Sequence, residues 1–550
     1  MLLNILKEVS DLVQIVQGIS LGHIISGKCS YFFDIVFLLS IRIRLYCLPL
    51  YTIKTSMNKF LALACAVVFL LKTVKAEIIT YKAPESNLVN HTIKVDVRQG
   101  TGNWQPVDVY TADVAARFDA QRIIKKTAFT YFDCSGSVKL RVKLNQGNIK
   151  EVRIRPTAYG IKPEVKGNIV EFELSASQYV SLEVNGNIFE NLQIFANPIE
   201  SSRPTKADAQ TLYFGPGIHK IGRMVIPSGK TVYVAGGAIV EGSFVIDHAE
   251  NVRICGRGIL TQHPVQSDSV KPQNTTGTFS KFRNDHLIIQ NSNNISVDGI
   301  IELPTGYSIL MGESKHVSIS NFKAFSATGN ADGIDIFCSQ DVKIDHIYMR
   351  NSDDCIAIYG HRWNYYGNTS DIKVDNAVLW ADVAHPLLIG THGDTDHPDT
   401  LQNIRVQNMT VLDHNENQLD YQGCIALNAG DSNLIRNASF ENVEIEDIRK
   451  GQLFNLRVMY NRKYNTSPGL GIENILFRNV NYNGKRANMS VIAGYDDKRG
   501  IRNVIFENLK INGALIYDKM PGKPGFYKTS DMANIFVGEH VDGVQFLRKD

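Results

Sequence analysis

The sequence Asn330-Ala-Asp-Gly-Ile-Asp-Ile-Phe337 is followed one repeat later by Asn351-Ser-Asp-Asp-Cys-Ile-Ala-Ile-Tyr359. In each stretch a polar turn that carries carboxylates precedes a short run of β-branched and apolar residues, which predicts a buried strand. Asp332 precedes Asp353 by 21 residues and Asp354 by 22. If the two units stack as successive coils, the three carboxylates meet on one patch of surface.

A longer repeat surrounds this stretch, in the form of a polar–apolar–polar–apolar phrase. Repeated units without helical periodicity predict stacked coils that bury their apolar faces against one another. The spacing, 22 to 43 residues, is too variable for propeller blades. We therefore predict a right-handed parallel β-helix over residues 201–550, with Asn residues stacked at its bends. The phrase begins at Asn251, Asn294, His316, Asp341, Asp371, Asn403, Asn437, Asn474 and Asn503.

Residues 77–200 show a different pattern, strict alternation of apolar and polar residues over short segments. Ile93–Val97, Val138–Leu144 and Val170–Leu174 are examples, and Asn185-Gly186 is typical of a tight hairpin turn. Several such strands at short intervals predict an antiparallel β-sandwich ahead of the β-helix. Nothing in this segment indicates catalytic chemistry, so carbohydrate binding and simple packing against the next domain both remain open.

The first 76 residues are typical of targeting, not of a folded domain. Residues 57–76 contain a short basic start, an apolar run from Phe60 to Leu71 and a small-residue cleavage site, which together predict a signal peptide. Residues 1–56 are then an upstream extension from a misplaced start codon. The alternative is a membrane anchor at Tyr31–Leu50, but three charged residues interrupt that run. We expect a secreted or periplasmic protein with no membrane association beyond its secretion signal.

Charge and cysteine content exclude several other classes of protein. The net charge is only +3 and no basic block is present, so nucleic acid is not expected as a partner. The five cysteines that follow residue 76 have no metal-ligand spacing and predict small buried side chains. We expect neither a metal nor a cofactor, and we expect a monomer.

The three carboxylates themselves suggest hydrolysis. An aspartate at a strand entrance is often ordinary turn chemistry, but this explains poorly why both units carry acids at the same place. Stacked coils lie about 5 Å apart, so the two units should be neighbours. An inverting glycosidase needs two carboxyl groups roughly 6.5–9.5 Å apart with a water between them, and like-charge repulsion keeps one protonated.

At this point the chain resembles glycoside hydrolase family 28, the polygalacturonases. The resemblance rests on Asn330–Asp335, on Asp353–Ile358 and on a third block, Ala384-His-Pro-Leu-Leu-Ile-Gly390. It implies that Asp353 is the general acid, that Asp332 and Asp354 activate water, and that Asp335 supports the first block. His385 would lie beside the acid and tune its protonation.

The resemblance also implies substrate-binding residues, although the chain departs from the family pattern here. The family's Arg-Ile-Lys block is reduced to Asn455-Leu-Arg457, which leaves Arg457 as the cation expected to bind a substrate carboxylate. Asn330 and His392 are expected to contact substrate as well. Trp363 lies in an inserted aromatic loop, where it could stack on a sugar or pin the loop itself.

We therefore predict a secreted glycoside hydrolase that cleaves a pectin-like polysaccharide by inversion. Two features, the N-terminal sandwich and Val378-Leu-Trp-Ala381, are more similar to the family 49 dextranases of the same clan, so a dextranase-like α-glucan hydrolase is one alternative. A polysaccharide lyase on the same fold is another, and it would need Ca²⁺ and a basic residue. A non-catalytic, adhesin-like β-helix is the third.

Overall fold

A computed structural model describes residues 77–118, 121–145, 147–262 and 285–549. The predicted signal peptide at residues 57–76 and the upstream extension at residues 1–56 lie outside this part of the chain. Within the described residues, no helix has both the length and the apolar character needed to cross a membrane. The described part of the chain is built almost entirely from strands, with one short α-helix, α1 (Thr529–Met532), and the 3₁₀ turns Thr157–Tyr159 and Leu419–Tyr421.

Two sheets form the N-terminal sandwich. One has the order β1-β5-β11-β10-β7 with β4 paired to β5, and the other has the order β3-β2-β6-β9-β8. All pairings in these sheets are antiparallel except that of β11 with β5, which is parallel. The apolar faces enclose a core that includes Val97, Leu140, Phe172 and Ile194. The strands are β1 (Ile78–Ile79), β2 (Lys94–Arg98), β3 (Gln105–Val107), β4 (Val109–Phe118), β5 (Gln121–Cys134), β6 (Ser137–Lys143), β7 (Val152–Arg155), β8 (Glu164–Lys166), β9 (Ile169–Ser175), β10 (Gln178–Val184) and β11 (Asn187–Pro198).

The rest of the described chain coils into one sheet of 28 strands. These are β12 (Thr211–Phe214), β13 (Gly217–Val225), β14 (Thr231–Val234), β15 (Ala238–Asp247), β16 (Glu250–Gly256), β17 (Ile259–Thr261), β18 (Leu287–Gln290), β19 (Asn293–Asp298), β20 (Ile301–Leu303), β21 (Ile309–Gly312), β22 (Lys315–Ser320), β23 (Lys323–Phe325), β24 (Ile334–Phe337), β25 (Gln340–Asn351), β26 (Ile356–Tyr359), β27 (Thr369–Ala381), β28 (Leu387–Gly390), β29 (Thr400–Asp413), β30 (Ile425–Ala429), β31 (Leu434–Ile445), β32 (Phe454–Val458), β33 (Gly471–Tyr482), β34 (Ser490–Ala493), β35 (Ile501–Glu507), β36 (Leu509–Ile511), β37 (Ala514–Ile516), β38 (Ile535–Val537) and β39 (Val541–Leu547).

The repeated phrase sets the register of this coil. Its second residues pair in parallel from one coil to the next, as Val252 does with Ile295 and Ile295 with Val317. All nine first residues of the phrase have a left-handed backbone, with φ between 50° and 59°. Asn and Asp tolerate this conformation better than other side chains that carry a Cβ. The prediction of a right-handed parallel β-helix is confirmed.

Asn side chains also stack along the coil, as predicted. Asn503 Nδ2 donates to Asn474 Oδ1 over 2.9 Å, and Asn474 Nδ2 donates to Asn437 Oδ1 over 3.0 Å. A second ladder, outside the repeated phrase, joins Asn508 to Asn479 and Asn479 to Asn442. Each of these hydrogen bonds satisfies an Asn side-chain amide at a bend, where the backbone hydrogen bonds between strands are interrupted.

Replacement of Asn479 should distinguish the stability that comes from the ladder's hydrogen bonds from the stability that comes from its left-handed backbone. Its φ is 53°, and its amide makes hydrogen bonds of 2.9 and 3.1 Å to its neighbours. We expect Asn479→Ala to lower the free energy of unfolding by about 2 kcal/mol, because both the hydrogen bonds and the tolerated left-handed backbone are lost. Asn479→Gly should lose only about 1 kcal/mol, because glycine keeps the backbone relaxed. Urea unfolding measures both; equal losses would contradict a backbone contribution.

The interior of the coil is lined mainly by apolar side chains. Phe440, Phe477, Phe506 and Phe546 stack in successive coils, with ring centroids 4.9–5.0 Å apart. The cysteines Cys134, Cys255, Cys338, Cys355 and Cys424 are all buried free thiols, which confirms their prediction as buried side chains.

The sandwich packs against the side of the coil through an aromatic and charged interface. Phe195 of β11 contacts Phe325 and Tyr348 of the coil. Beside these rings, Arg350 donates to Asp382 Oδ2 over 2.8 Å and to the carbonyl of Ile188 over 2.9 Å. This interface positions the β4–β5 hairpin of the sandwich over the coils that carry the acidic turns.

Candidate active site

The three aspartates meet at the entrances of β24 and β26. Ile334 pairs with Ile356, a register that places Asp332 opposite Asp354 one coil away. The nearest carboxylate oxygens of Asp332, Asp353 and Asp354 all lie within 4.8 Å of one another. Gly333 allows this approach, because a Cβ at that position would lie 2.2 Å from the carbonyl oxygen of Cys355. The structure thus brings together the acids that the sequence repeat placed at equivalent positions.

These acids line a polar pocket of about 290 Å³. Four basic side chains share it, two from the sandwich hairpin and two from loops of the coil. A single pocket therefore combines a carboxylate cluster with positive charge around it. Its lining residues are Arg117, Arg122, Tyr307, Asn330, Asp332, Asp353, Asp354, Tyr359, Arg362, Val383, Ala384, His392, Gln418, Tyr421, Lys463 and Tyr464.

Asp354 is held by a fully buried histidine. The backbone N–H of His385 and its Nδ1 approach Asp354 Oδ1 at 2.9 and 2.7 Å, and Tyr359 donates to Oδ2 over 3.3 Å. The other ring nitrogen, Nε2, faces the carbonyl of Tyr421. Since both ring nitrogens face acceptors, the imidazole must carry two protons to satisfy them. Burial opposes this charge, but Asp354 outweighs it and raises the pKa of His385.

This contact adds to the expected place of His385 near the acid. The structure shows the histidine hydrogen-bonded to Asp354, the residue next to Asp353. The reason is the register of the coil: Ile356 pairs with Leu387, so Asp354 faces His385. Asp353, one residue earlier in the same turn, contacts the backbone N–H of Asn330 and lies near Arg122.

Asp353 is the most exposed of the three acids, with 27% of its side chain accessible. Burial and the neighbouring Asp354 carboxylate raise its pKa to about 7. Arg122 and the backbone N–H of Asn330, 3.2 Å from Oδ2, oppose that rise. A carboxyl group with a pKa near 7 carries a proton in weakly acidic solution and can donate it to a substrate.

Asp332 and Asp335 are both buried, and burial raises the pKa of each, with further contributions from neighbouring aspartates. Asp335 lies under the site without lining the pocket, and neither of its carboxyl oxygens finds a hydrogen-bond donor among the described residues. A protonated, neutral Asp335 is the form that such surroundings favour.

The structure places only some of the predicted substrate-binding residues in the pocket. Asn330 and His392 line the pocket. Arg457 does not: it lines a separate pocket with Asp420 and Tyr460. Its strand, β32, is three pairing steps from β26, by way of β28 and β30, which is about 15 Å along the coil.

Trp363 is also absent from the pocket lining. Its ring packs against Tyr307 and Phe337, with centroids 6.3 and 5.3 Å away, and Arg362 lies over it. The aromatic loop is therefore pinned by its own side chains at this position. The neighbouring Arg362 reaches the pocket in its place and approaches His392 Nδ1 at 3.0 Å.

The pocket contains cations that no sequence pattern singled out. Arg117 and Arg122 come from the β4–β5 hairpin, a segment in which no chemistry was expected. Arg122 contacts Ser352, which lies 230 residues further along the chain, so no local motif could join them. Lys463 follows β32 and bonds Gln418.

The same carboxylates form a cluster of a kind that binds divalent cations. Asp332, Asp353 and Asp354 each offer one oxygen within the 4.8 Å cluster, and Ca²⁺ prefers oxygen ligands of this kind. The arrangement therefore supports two kinds of chemistry, acid–base hydrolysis and metal-assisted elimination.

Comparisons with known proteins identify a family for the chain. The profile of Glycosyl hydrolases family 28 matches residues 234–523, more than half of the chain. The chain is similar to "Putative galacturan 1,4-alpha-galacturonidase A" of Aspergillus niger, with 23% identity over 34% of this chain and 47% of the relative. It is also similar to "Endopolygalacturonase D" of the same fungus, with 27% identity over 35% of this chain and 34% of the relative. The alignments thus span less than half of each relative's length.

A solved structure shares the overall architecture. Dex49A from Penicillium minioluteum superposes with a TM-score of 0.54 at 15% identity, over 86% of this chain and 98% of that one. At this identity the likeness concerns the fold alone. It covers more of the chain than the 290-residue span of the family profile, which begins inside the coil.

Proposed function

Since the chain belongs to family 28 of the glycosyl hydrolases, we propose that it hydrolyses glycosidic bonds in a galacturonate-containing polysaccharide of the pectin class. The observation that carries this proposal is the pocket in which three carboxylates converge among four cations. Carboxylates can transfer protons and activate water, while Arg and Lys side chains can bind the carboxylate of a uronic acid. The names of the relatives, a galacturonidase and an endopolygalacturonase, support the same substrate class.

We assign the general acid to Asp353. With a pKa of about 7 it keeps its proton in weakly acidic solution, and 27% of its side chain is exposed to the pocket. Protonation of the glycosidic oxygen turns the departing sugar into a neutral alcohol, which lowers the barrier to bond cleavage. The two other acids are more buried and are less suited to reach a leaving group.

Asp332 and Asp354 are proposed to hold the attacking water. They face each other across one coil step, so a single water molecule could donate one hydrogen bond to each. One of the two carboxylates then takes a proton as the water oxygen attacks the sugar. The doubly protonated His385 pairs with Asp354 and leaves it acceptor-only. The nearest oxygens are within 4.8 Å, closer than the 6.5–9.5 Å between carboxyl groups that inversion usually needs. An inverting mechanism therefore requires a water molecule that both acids hold. The anomeric configuration of the product tests this mechanism.

The extracellular location is part of the proposal. The sequence pattern at residues 57–76 favours secretion, and a polymeric substrate of the plant cell wall would have to be met outside the cell. We also propose that the protein acts as a monomer, since one chain brings the acids and the cations together.

Incubation of the protein with polygalacturonan, rhamnogalacturonan, dextran and pullulan tests the substrate class. We expect new reducing ends from a galacturonate-containing polymer and none from dextran or pullulan, because the neutral glucans offer no carboxylate to the four cations. Faster cleavage of dextran would instead favour the dextranase-like alternative. Proton NMR of the fresh product should show the inverted anomer; net retention would refute the shared-water assignment.

A polysaccharide lyase is the second candidate, favoured by the close carboxylates and by the cations beside them. A lyase would bind Ca²⁺ at the aspartates and use a basic side chain to remove a proton. Its product would absorb ultraviolet light, and its activity would be lost with a chelator. Hydrolysis predicts neither result.

A further inference from the structure

We infer that the N-terminal sandwich is part of the active site: Arg122, on its β4–β5 hairpin, is a positioning residue for Asp353. This inference rests on the proposed function and extends it to a domain in which the sequence indicates no chemistry. It assigns a role to a side chain that lies outside the family profile at residues 234–523.

Arg122 contacts both acidic turns at once. Its Nη2 donates to the carbonyl of Ser352 over 3.0 Å and lies 3.9 Å from Asp353 Oδ2. On the other side, the guanidinium packs on the backbone of Gly329, where an added Cβ would lie 2.6 Å from Nη1. Gly329 begins the turn that leads to Asp332, so one side chain bridges the two coils that carry the acids.

This geometry suits a side chain that positions Asp353 better than one that only neutralises its charge. The hydrogen bond to Ser352 fixes the guanidinium at the residue that precedes Asp353, and the longer contact leaves the Asp353 carboxyl free to meet a substrate. Both side chains are 27% exposed, so solvent weakens the attraction between them without removing it. Arg122 therefore favours the ionised form of Asp353 and opposes the effect of the neighbouring acids.

Several other charged groups act on Asp353 from the surrounding elements. Asp354 and Glu416 raise its pKa, and Arg122 lowers it. The remaining charged groups that share the pocket are Arg117 of the hairpin, Asp332 of the first acidic turn, and Arg362 and Lys463 of the coil's loops. Arg122 is the cation of this pocket for which the described structure records an ion pair with Asp353.

The pH dependence of kcat/KM tests the role of Arg122. In the unaltered protein we expect activity to fall as pH rises through about 7, because the acid must be protonated and the pKa of Asp353 is about 7. In Arg122→Gln this alkaline limb should move upward by about half a pH unit or more, because a cation that favours the carboxylate is gone. We also expect kcat to fall about tenfold from poorer alignment, with a smaller change in KM.

Two further variants make the test specific. Arg122→Lys keeps the charge and should return the alkaline limb toward its original position. Lys125→Gln removes an exposed cation from the same strand and should leave both kcat and the limb unchanged. An unmoved limb in Arg122→Gln would overturn the inference, even if that variant were less stable or less active.

A measurement without substrate separates this inference from the proposed function. Carbon-13 NMR of protein labelled at its Asp carboxyl groups follows the titration of Asp353 directly. The Asp353 signal is identified as the one that is missing in Asp353→Asn. We expect the titration to move upward in Arg122→Gln and to return in Arg122→Lys. If the protein cleaves no polysaccharide but this shift is present, the proposed function fails while the contact holds. If hydrolysis is present and the shift is absent, only the role of Arg122 fails.

Discussion

Replacement of Asp353 with Asn is expected to lower kcat on polygalacturonan about a thousandfold, with KM changed much less. Amide and carboxyl groups have nearly the same size, so the pocket keeps its shape while the dissociable proton is lost. General acid catalysis contributes roughly a hundredfold to ten-thousandfold in rate, and departure of an unactivated sugar depends strongly on it. The ion pair with Arg122 is lost as well, but it is partly exposed and contributes little to stability.

The same variant should recover part of its activity on an aryl galacturonide. A nitrophenolate leaves without protonation, so removal of the acid matters less for that substrate. Asp396→Asn, at an exposed loop position, is the matched control and should retain full activity on both substrates. Initial rates across a substrate series give kcat and KM. More than a tenth of the original activity on polygalacturonan in Asp353→Asn would contradict the assignment of the acid.

Replacement of Arg350 with Met should be the most destabilising single change considered, at about 3–5 kcal/mol in the free energy of unfolding. Arg350 is fully buried and donates to Asp382 at 2.8 and 3.3 Å. It also donates to Asn191 and to the carbonyl of Ile188, and it lies 3.9 Å over the ring of Trp380. Removal of one partner from a buried ion pair leaves the other charge uncompensated, which costs much more than the pair itself contributes.

Arg449 should reduce this loss of stability without removing it. It donates to Asp382 Oδ1 over 2.9 Å, so the carboxylate keeps one cation when Arg350 is gone. The contacts with Asn191 and Ile188 of the sandwich have no substitute in that variant. Arg405→Met is the control, because Arg405 is 56% exposed and should change stability by about 0.5 kcal/mol or less. Urea unfolding compares the two; an unchanged midpoint in Arg350→Met would show that the network contributes little.

Much of the site could be predicted from the sequence because it depends on the period of the coil. Asp332 and Asp354 are 22 residues apart, one coil length in this region, and the strand register places them opposite each other. The same reasoning predicted the Asn ladders, since repeated residues at equivalent bends must stack. Asn330 and His392 also line the pocket, which agrees with their expected proximity to the acids.

Other parts of the site depend on distances that no motif encodes. Arg457 matched a family block, but three pairing steps along the coil separate its strand from that of the acids. Trp363 lies in the right loop, but packing on Tyr307 and Phe337 occupies its ring. In both cases the residue type suits substrate binding, but the place of the side chain in the fold keeps it out of the pocket lining.

The amino-acid sequence by itself determined the β-helix and the meeting of the acids, because a repeated apolar pattern has one way to stack and carries its turns with it. The tertiary structure decided what surrounds those acids. His385 contacts Asp354 because Ile356 pairs with Leu387, and this register sets Asp354 beside the histidine. Arg122 reaches Asp353 only because the sandwich docks against the coil, and such docking joins residues that are far apart in the chain.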